Sequence, residues 1–353
     1  MSQTVSFDIT PEKEASKLQF LRRQLSGSPP EVSRQDVDLT GQTAIVTGAN
    51  GGIGLECSQQ LLDLGLSKLI LAVRDEVKGE AARKTLTTAK ALEPSQTIEV
   101  WKLDYASYES IMGFAQRVEG LNPRFNIAIL NAGINRGVFA LNPTTHHEED
   151  LQTNYLSTVL LVLLLLRILK KTYATSSLSK FSPGRIVVVS SDMAAWAKFN
   201  EKNDEPLLKA FDKKSNWDKL ERYATTKLLG QLFVADIAKR VPPSIAIINC
   251  ANPGLCHGSA LARELGTGTA LFVRAIGRPS AIGARILVNA AIKQDEKSHG
   301  QYVEDCKLRP MAPFVYSKEA EQVTPRLWEE TIEELSFAGV QDILESLSSA
   351  QVD

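Results

Sequence analysis

Short apolar runs alternate along the chain with longer amphipathic stretches. The runs are TAIVTG (43–48), KLILAVR (68–74), TIEVWKLD (97–104), IAILNAG (127–133), RIVVVSS (185–191), SIAIINCANPG (244–254) and QYVEDC (301–306). Continuous runs of β-branched residues without polar alternation are typical of strands that are buried on both faces. Strands that alternate with helices in this way predict an α/β fold with a doubly wound parallel sheet.

This alternating pattern extends over residues 41–310 and is flanked by segments of different character. We therefore expect a single Rossmann-type domain with a helical extension at each end, over 1–40 and over 311–353. A chain of 353 residues is long enough to bury a full core without disulfides or metals. The C-terminal extension contains helix-forming residues and should fold into one or two helices that cover the domain.

The N-terminal extension contains one predicted helix. Thr10 as N-cap and Pro11 at the first helical position mark its start, and Gly27 marks its end. Leucines recur inside it at helical spacing, and they are Leu18, Leu21 and Leu25. The helix is expected to pack on the outside of the domain.

Two polar segments have less obvious roles. Lys198–Arg222 is rich in acidic and basic residues, and we expect a solvated insertion near the active site that forms a lid or rim. His146 and His147 precede three acidic residues, which makes a metal site conceivable. Adjacent histidines point apart on a helix, however, so a solvated helix start is the favoured interpretation and no metal is expected.

Composition limits the classes of function. The chain has 40 Lys and Arg against 41 Asp and Glu, so its net charge of −1 argues against a nucleic-acid partner. The four cysteines show no CxxC spacing and are too few for a disulfide scaffold, which favours a reducing compartment. The first residues lack the basic and apolar regions of a signal peptide, and we expect a cytoplasmic protein.

The most apolar run is Val159–Leu166, which Arg167 ends. Even extended back to Leu156, it is shorter than the roughly 18 residues that a membrane-spanning helix needs. A helix that is apolar on all sides is more often buried, so no membrane span is expected. It could lie at a subunit interface or beneath the terminal extensions, and a homodimer and a monomer both remain open.

A glycine-rich turn, TGANGGIG, follows the first strand and opens an amphipathic helix. Glycines permit a tight turn and close approach of the backbone to a diphosphate, while the helix N-terminus offers free N–H groups to the anion. The candidate cofactor-binding residues of this turn are Gly48, Asn50, Gly52, Ile53 and Gly54. A tight turn without a ligand is the alternative.

Three further strand ends carry candidate cofactor contacts. Arg74 stands where an acidic residue usually meets a free ribose hydroxyl, and a guanidinium there can bind a 2′-phosphate, which favours NADP(H) over NAD(H). Pairing of Arg74 with Asp75 or Glu76 is the alternative. Asp104 could accept a bond from an adenine amino group or cap the next helix. The fourth strand ends in the small residues Asn131, Ala132 and Gly133. They permit close approach of a cofactor, and a plain turn is the alternative.

Tyr223 and Lys227 open a helical stretch and are spaced to share one helix face. A nearby ammonium stabilises a phenolate, so we expect Lys227 to lower the pKa of Tyr223. The tyrosine could then exchange a proton near neutral pH. Ser190 and Ser191 end the fifth strand at the sheet edge where such folds bind ligands, and Asn154 begins the apolar helix, where it could hold a water beside the lysine.

Together these motifs closely resemble those of the short-chain dehydrogenase/reductase family, over roughly residues 40–310. TGANGGIG, NAG, YATTK and the Pro253-Gly254 pair match family motifs in family order. The resemblance implies a catalytic tetrad of Asn154, Ser191, Tyr223 and Lys227. It also implies that Lys227 bonds the nicotinamide ribose and that Pro253 and Gly254 contact the cofactor.

The family usually has a threonine shortly after the Pro-Gly pair, and Ser259 is its candidate replacement here. The gap between Ser191 and Tyr223 is also longer than usual, because Lys198–Arg222 is inserted between them. The AVRD stretch is most similar to retinol-dehydrogenase-like members, and NPGLCHGS resembles reductases of fungal natural-product pathways.

The resemblance implies an NADP(H)-dependent oxidoreductase with Tyr223 as general acid/base. It would transfer hydride between the nicotinamide and a carbonyl or alcohol of a small, apolar substrate, as in natural-product ketoreductases. Two other hypotheses stay open. One is a non-redox step such as cyclisation or isomerisation, and the other is a cofactor-sensing scaffold whose terminal extensions bind a partner.

Overall fold

A doubly wound parallel sheet forms the centre of this single-domain fold. The computed structural model describes residues 6–89, 91–175, 182–258, 271 and 273–348. The strands are β1 Thr43–Thr47, β2 Lys68–Val73, β3 Thr97–Lys102, β4 Ile127–Leu130, β5 Gly184–Val189, β6 Ala246–Asn252, β7 Cys256–His257, β8 Arg278–Pro279, β9 Tyr302–Glu304 and β10 Lys307–Arg309. Eight of them form one sheet in the order β10-β9-β6-β5-β4-β1-β2-β3, and all its pairs are parallel except β9 with β10. The predicted α/β class is confirmed.

Helices cover both faces of the sheet. Their bounds are α1 Pro11–Glu14, α2 Lys17–Ser26, α3 Gly52–Asp63, α4 Glu76–Ala89, α5 Tyr108–Glu119, α6 Glu149–Leu151, α7 Ser157–Thr175, α8 Leu207–Phe211, α9 Lys219–Ile237, α10 Ser280–Ile292, α11 Lys318–Glu334 and α12 Val340–Ser348. One core lies between the sheet and α5, α7 and α9, and α11 and α12 extend it outward. The other lies between the sheet and α3, α4 and α10. Burial on both faces explains why the strand sequences lack polar alternation.

Strand order reverses beside β1, because β2 lies on one side of it and β4 on the other. The connections after β1 and β4 therefore leave the sheet in different directions and open a crevice at its carboxyl edge. Ligands of doubly wound folds bind in this crevice. The topology thus brings every strand end that the sequence singled out to one edge of the molecule.

The apolar helix is longer than its most apolar run suggested. A continuous helical segment covers Glu149–Ala174 and is long and apolar enough to cross a membrane, but 94% of its most apolar window is buried inside the protein. Residues such as Leu160 and Leu163 are fully buried between the sheet and the C-terminal helices. Its position is that of a core helix beneath the C-terminal extension.

The N-terminal extension differs from its prediction in two ways. Thr10 caps α1 and Pro11 starts it, as expected, but the helix breaks after Glu14 and Ser16 caps the separate helix α2. The three leucines at helical spacing do not face the domain, since Leu18, Leu21 and Leu25 are 79%, 40% and 69% exposed. The opposite, more polar face of α2 packs inward instead.

The charged insertion Lys198–Arg222 is only partly solvated, because most of its apolar residues and Arg222 are buried while many of its charged residues are exposed. Phe199 and Phe211 are fully buried, and burial of each side chain contributes roughly 2 kcal/mol. Arg222 is also buried, and its guanidinium lies 3.0 Å from Glu201 Oε1. Glu330 of α11 accepts 2.8 Å bonds from the first backbone N–H groups of α8. The insertion is therefore held between α9 and the C-terminal helix.

His147 is buried, so a solvated helix start was wrong for this residue, whereas His146 is exposed. The His147 ring nitrogens lie 3.2 Å from Asp212 of the insertion and 3.2 Å from Glu334 of α11. Burial opposes protonation, but the two carboxylates outweigh it and raise the pKa of His147 to about 9. The imidazolium links three segments that are distant in sequence.

This link predicts a pH-dependent stability. The His147 pKa rises from its ordinary 6.5 to about 9 on folding. The stabilisation that protonated His147 gives to the folded state is therefore complete below pH 6.5 and is lost as pH rises through 9. The difference in unfolding free energy between the wild type and His147→Gln should shrink over this range by up to roughly 3 kcal/mol. Urea denaturation at several pH values measures it, with His146→Asn as the exposed control. A difference that stays constant from pH 6 to about pH 9.5 would contradict the assignment.

Candidate active site

The candidate cofactor turn is built from β1, the start of α3 and the end of β4. Gly48 has a φ of +65°, and Asn131 Nδ2 donates a 3.0 Å bond to Thr47 O beside it. A Cβ at Gly54 would lie 2.5 Å from Gly48 O and 2.7 Å from Asn131 Nδ2. Helix α3 and the turn are thus closer than any side chain would allow, and only glycine fits.

The N-terminus of α3 is suited to an anion. Gly52 begins the helix, no side chain caps it, and its first turn contains no acidic residue. Asn50 and Gly51 are exposed, while Ile53 is half-buried against the core. The backbone N–H groups and the positive end of the helix dipole therefore face the crevice without an internal acidic partner.

Arg74 and Asp104 stand at the ends of the next two strands. Arg74 is exposed, and among the described residues its guanidinium makes no ion pair, while Asp75 pairs with Lys78 at 3.3 Å. Asp104 does not cap α5, because Ser107 does so by accepting a bond from Ser110 N. Asp104 Oδ1 instead accepts a 3.0 Å hydrogen bond from Ala106 N, which shapes the loop before α5.

Asn154 lies in a π-helical turn, Gln152–Leu156, that interrupts the long apolar helix. Its Nδ2 donates to Ile134 O at 2.9 Å and to Thr226 Oγ1 at 3.1 Å, and its Oδ1 accepts 2.9 Å from Ile134 N. Such turns re-aim side chains and are frequent at functional sites. Asn154 thereby holds the loop after β4 against α9.

Tyr223 and Lys227 lie on α9, whose N-terminus Asp218 caps through two backbone N–H groups. The Tyr223 side chain is buried, and the Ser191 side chain lies close enough to it to favour the phenolate. Ser190 points elsewhere, because its hydroxyl accepts a 3.0 Å bond from Gln231 Nε2. The structure therefore distinguishes the two adjacent serines, and Ser191 is the one that faces Tyr223.

Lys227 is buried, and its Nζ donates 2.9 Å to Val189 O and lies 5.7 Å from the centre of the Tyr223 ring. A Cβ added at Gly133 would be 3.6 Å from this Nζ and 3.2 Å from Asn154 Oδ1. The end of β4, the π-helical turn and α9 thus meet around one amine. The four predicted catalytic side chains are brought together at this point.

The pKa shifts differ from the expected effect of Lys227. Burial raises the pKa of Tyr223 to about 12, although the neighbouring Ser191 side chain opposes the shift. Burial also lowers the pKa of Lys227 to about 8. Desolvation is the largest cause of both shifts because both groups lie out of water, and the carboxylates of Asp150 and Asp192 add to the rise at Tyr223. The prediction of an acidified tyrosine is therefore wrong for the free protein, whose phenol is neutral at physiological pH.

Pro253 and Gly254 follow β6 on the same edge. Gly254 has a φ of +73°, and its N–H donates 3.0 Å to Asn252 Oδ1, which fixes the turn. The predicted contact at Ser259 lies outside the described residues. The described residues contain no group of three or more His, Cys, Asp or Glu side chains with the geometry of a metal site.

A second polar cluster lies at this edge, formed by Arg23, Asp192 and Glu304, and it was not predicted from the sequence. Arg23 Nη2 lies 2.7 Å from Asp192 Oδ1 and its Nε lies 3.1 Å from Glu304 Oε2. Its partners are far apart along the chain, so no spacing could reveal them. The weak available signal was that Arg23 lies on the helix face opposite the leucines.

Comparisons with known proteins agree with this geometry. Residues 42–201 match the family model described as short chain dehydrogenase. Short-chain dehydrogenase fogG of Aspergillus ruber is 49% identical over 353 residues, which cover 98% of this chain and 99% of that protein. Short chain dehydrogenase/reductase mfmJ of Annulohypoxylon moriforme is 39% identical over 333 residues, which cover 93% of this chain and 94% of that protein.

Solved structures match the fold. The crystal structure of a Shigella flexneri short chain dehydrogenase complexed with NADP has a TM-score of 0.52 and 19% identity, and covers 76% of this chain and 98% of that chain. An Escherichia coli short chain dehydrogenase complexed with NADPH has a TM-score of 0.54 and 20% identity, and covers 76% of this chain and 97% of that chain.

Because Gly54 contacts the turn, we expect alanine to lower the stability of the protein at this glycine but not at the nearby Gly51. Gly54→Ala should destabilise the protein by about 1–3 kcal/mol, because its Cβ would overlap the backbone at Gly48. Gly51→Ala is the matched control, since nothing lies within 4 Å of its added Cβ. Urea denaturation of both variants measures the effect. Equal stability of the two variants would show that the turn is looser than described.

Proposed function

Since the chain belongs to the short-chain dehydrogenase/reductase family, we propose that it is an NADP(H)-dependent reductase of a small carbonyl compound. Members of this oxidoreductase family bind a nicotinamide cofactor. The observation that carries the proposal is the contact between Ser191 and Tyr223 beside the buried amine of Lys227, at the edge where the glycine turn lies. The reverse reaction, oxidation of the alcohol, uses the same groups.

The residues present fit such a cofactor. The close packing of Gly48 and Gly54 and the open N-terminus of α3 suit a diphosphate. Arg74 is exposed and forms no ion pair within the part of the chain that the structure describes, which suits a 2′-phosphate. Further candidate contacts are Asn50, Gly52, Ile53, Asp104, Asn131, Ala132, Gly133, Pro253 and Gly254. Lys227 would bond the ribose beside the nicotinamide. When bound, the cofactor supplies the hydride that attacks the carbonyl carbon.

The protein's own groups supply the proton and the oxygen site. Ser191 donates a hydrogen bond to the carbonyl oxygen and places it beside Tyr223. The Tyr223 phenol, kept neutral by a pKa of about 12, donates its proton to the alkoxide that develops there. Lys227 stabilises the phenolate that remains, and Asn154 keeps the proton path from the lysine to solvent in place. A neutral phenol suits the reducing direction.

The substrate is proposed to be small and mainly apolar. The cavity beside Ser191 has apolar groups of Ala195, Trp196 and Met311 on its walls. Polar groups of Gln231 and the charged cluster of Arg23, Asp192 and Glu304 line the rest of it. Both named relatives come from fungi, which supports a tailoring ketoreductase of fungal natural-product metabolism. A cytoplasmic location is part of the proposal. The net charge of −1 argues against a nucleic-acid partner. The proposed reaction is compatible with either a monomer or a homodimer.

Removal of the phenol tests the mechanism. Tyr223→Phe should lower kcat for carbonyl reduction by roughly 100- to 10,000-fold, because the proton donor is lost, while NADPH still binds. A panel of ketones and aldehydes, followed by NADPH absorbance, measures turnover, and NADPH fluorescence measures binding. Ser191→Ala should also lower kcat, whereas Ser190→Ala, whose hydroxyl bonds Gln231, should not. Near-normal turnover by Tyr223→Phe would refute the mechanism.

The cofactor preference depends on Arg74. Arg74→Ala should weaken NADPH binding by roughly 10- to 100-fold, because a charge-assisted contact to the 2′-phosphate is lost. NADH lacks this phosphate, so its affinity should stay nearly unchanged. Titration of both cofactors into the wild type, Arg74→Ala and the control Arg83→Ala measures the selectivity. An equal loss for NADH and NADPH would place the phosphate elsewhere.

A further inference from the structure

Arg23 of the N-terminal extension is the centre of a buried ion-pair cluster beside the candidate site. Its guanidinium lies 2.9 Å from Glu14 Oε1, 2.7 Å from Asp192 Oδ1 and 3.1 Å from Glu304 Oε2. The four side chains are between 5% and 11% exposed. One guanidinium thus faces three carboxyl groups from three separate parts of the chain, where little water screens their interaction.

Asp192 connects this cluster to Ser191, the preceding residue. Ser191 caps the 3₁₀ turn Asp192–Trp196 by accepting a 3.2 Å bond from Met193 N. Asp192 begins that turn, so the direction of its carboxyl and the position of the Ser191 hydroxyl depend on each other. Arg23 holds Asp192 Oδ1, while Asn252 Nδ2 donates 2.8 Å to Asp192 Oδ2.

The same cluster reaches the loop after β6. Asn252 Nδ2 also donates 2.7 Å to Glu304 Oε1, and Asn252 Oδ1 accepts the N–H of Gly254. Gln24, the next residue of α2, bonds Leu255 twice, since its Oε1 accepts from Leu255 N at 3.1 Å and its Nε2 donates to Leu255 O at 2.8 Å. One helical turn therefore holds the two loops that carry Ser191 and Gly254.

The extension also closes one side of the cavity beside Ser191. Trp196 Nε1 donates 2.7 Å to Ala15 O, and its ring meets that of Phe20 edge-on at 5.3 Å. Pro11, Glu14 and Ala15 line the cavity opposite Ser191. The polar face of the extension thus packs inward because the active-site edge supplies its partners.

We propose that Arg23 is a positioning residue of the reductase site, which orients Ser191 through Asp192 and the Gly254 loop through Asn252. The proposal rests on the proposed function, and it makes residues 10–27 an integral part of the active site. Arg23 lines the cavity beside Ser191, but in this account it neither donates nor accepts the reacting proton. Its loss should therefore impair the chemical step more than cofactor binding, whose main contacts lie at the glycine turn and Arg74.

The experiment compares Arg23→Gln, Arg23→Lys and the control Arg22→Gln, whose side chain on the same helix is exposed. Arg23→Gln should lower kcat by roughly 10- to 100-fold, as expected when a reacting group is displaced by about 1 Å. The NADPH Kd should change by less than about twofold, and Arg23→Lys, which keeps the charge, should recover part of kcat. Arg22→Gln should match the wild type.

Hydrogen exchange of the free protein supplies a readout that is independent of activity. Ala194 N and Ala197 N are hydrogen-bonded within the turn after Ser191, and their exchange should accelerate in Arg23→Gln but not in Arg22→Gln. If Arg23→Gln fails to fold, Asp192→Asn breaks the same ion pair and should give the same loss of kcat and the same local exchange.

The outcomes distinguish the two proposals. A wild type that reduces no carbonyl of the panel contradicts the proposed function, while exchange of the Ser191 turn still tests the role of Arg23. An active wild type with unchanged kcat and unchanged exchange in Arg23→Gln overturns the positioning role alone. A parallel loss of NADPH affinity and kcat without rescue by Arg23→Lys also overturns it, since that pattern indicates general disruption.

Discussion

Burial of the Lys227 amine is the constraint on which the candidate site depends. Its hydrogen bond to Val189 O ties α9 to the end of β5, and the surrounding protein lowers the pKa of Lys227 to about 8 by removing water. Gly133 lies close to both groups, since a Cβ there would be 3.2 Å from Asn154 Oδ1 and 3.6 Å from the amine. The amine thus bonds a backbone carbonyl and lies close to the backbone at Gly133.

The terminal extensions and the insertion stabilise this arrangement with charged residues placed inside the protein. Arg222, Arg23 and His147 are each held by carboxylates from distant segments. A buried ion pair adds little net stability over apolar packing, but loss of one partner leaves a buried charge that costs several kcal/mol. These pairs therefore specify how the added segments dock, while apolar residues such as Phe199 and Phe211 supply the driving force.

The sequence predicted the sheet and the edge residues because their signals are local. Apolar runs with small or polar ends identify strands and their carboxyl ends, and a spacing of four places Tyr223 and Lys227 together. The face on which α2 packs was not predictable, because Arg23 and Gln24 find partners far along the chain and no periodicity records such pairing. The insertion was misjudged for the same reason, since two of its charged side chains, Lys202 and Glu205, pair with Glu319 and Arg326 of α11. The Tyr223 pKa could not be predicted either, because desolvation depends on packing in three dimensions.

A crystal structure of the protein with bound NADP⁺ tests the central claim most directly. The account predicts the diphosphate at the N-terminus of α3, the 2′-phosphate at Arg74, and the nicotinamide beside the Tyr223 hydroxyl with its ribose bonded to Lys227 Nζ. A nicotinamide that lies away from Tyr223 and Ser191, or a diphosphate bound outside the turn from Gly48 to Gly54, would contradict it.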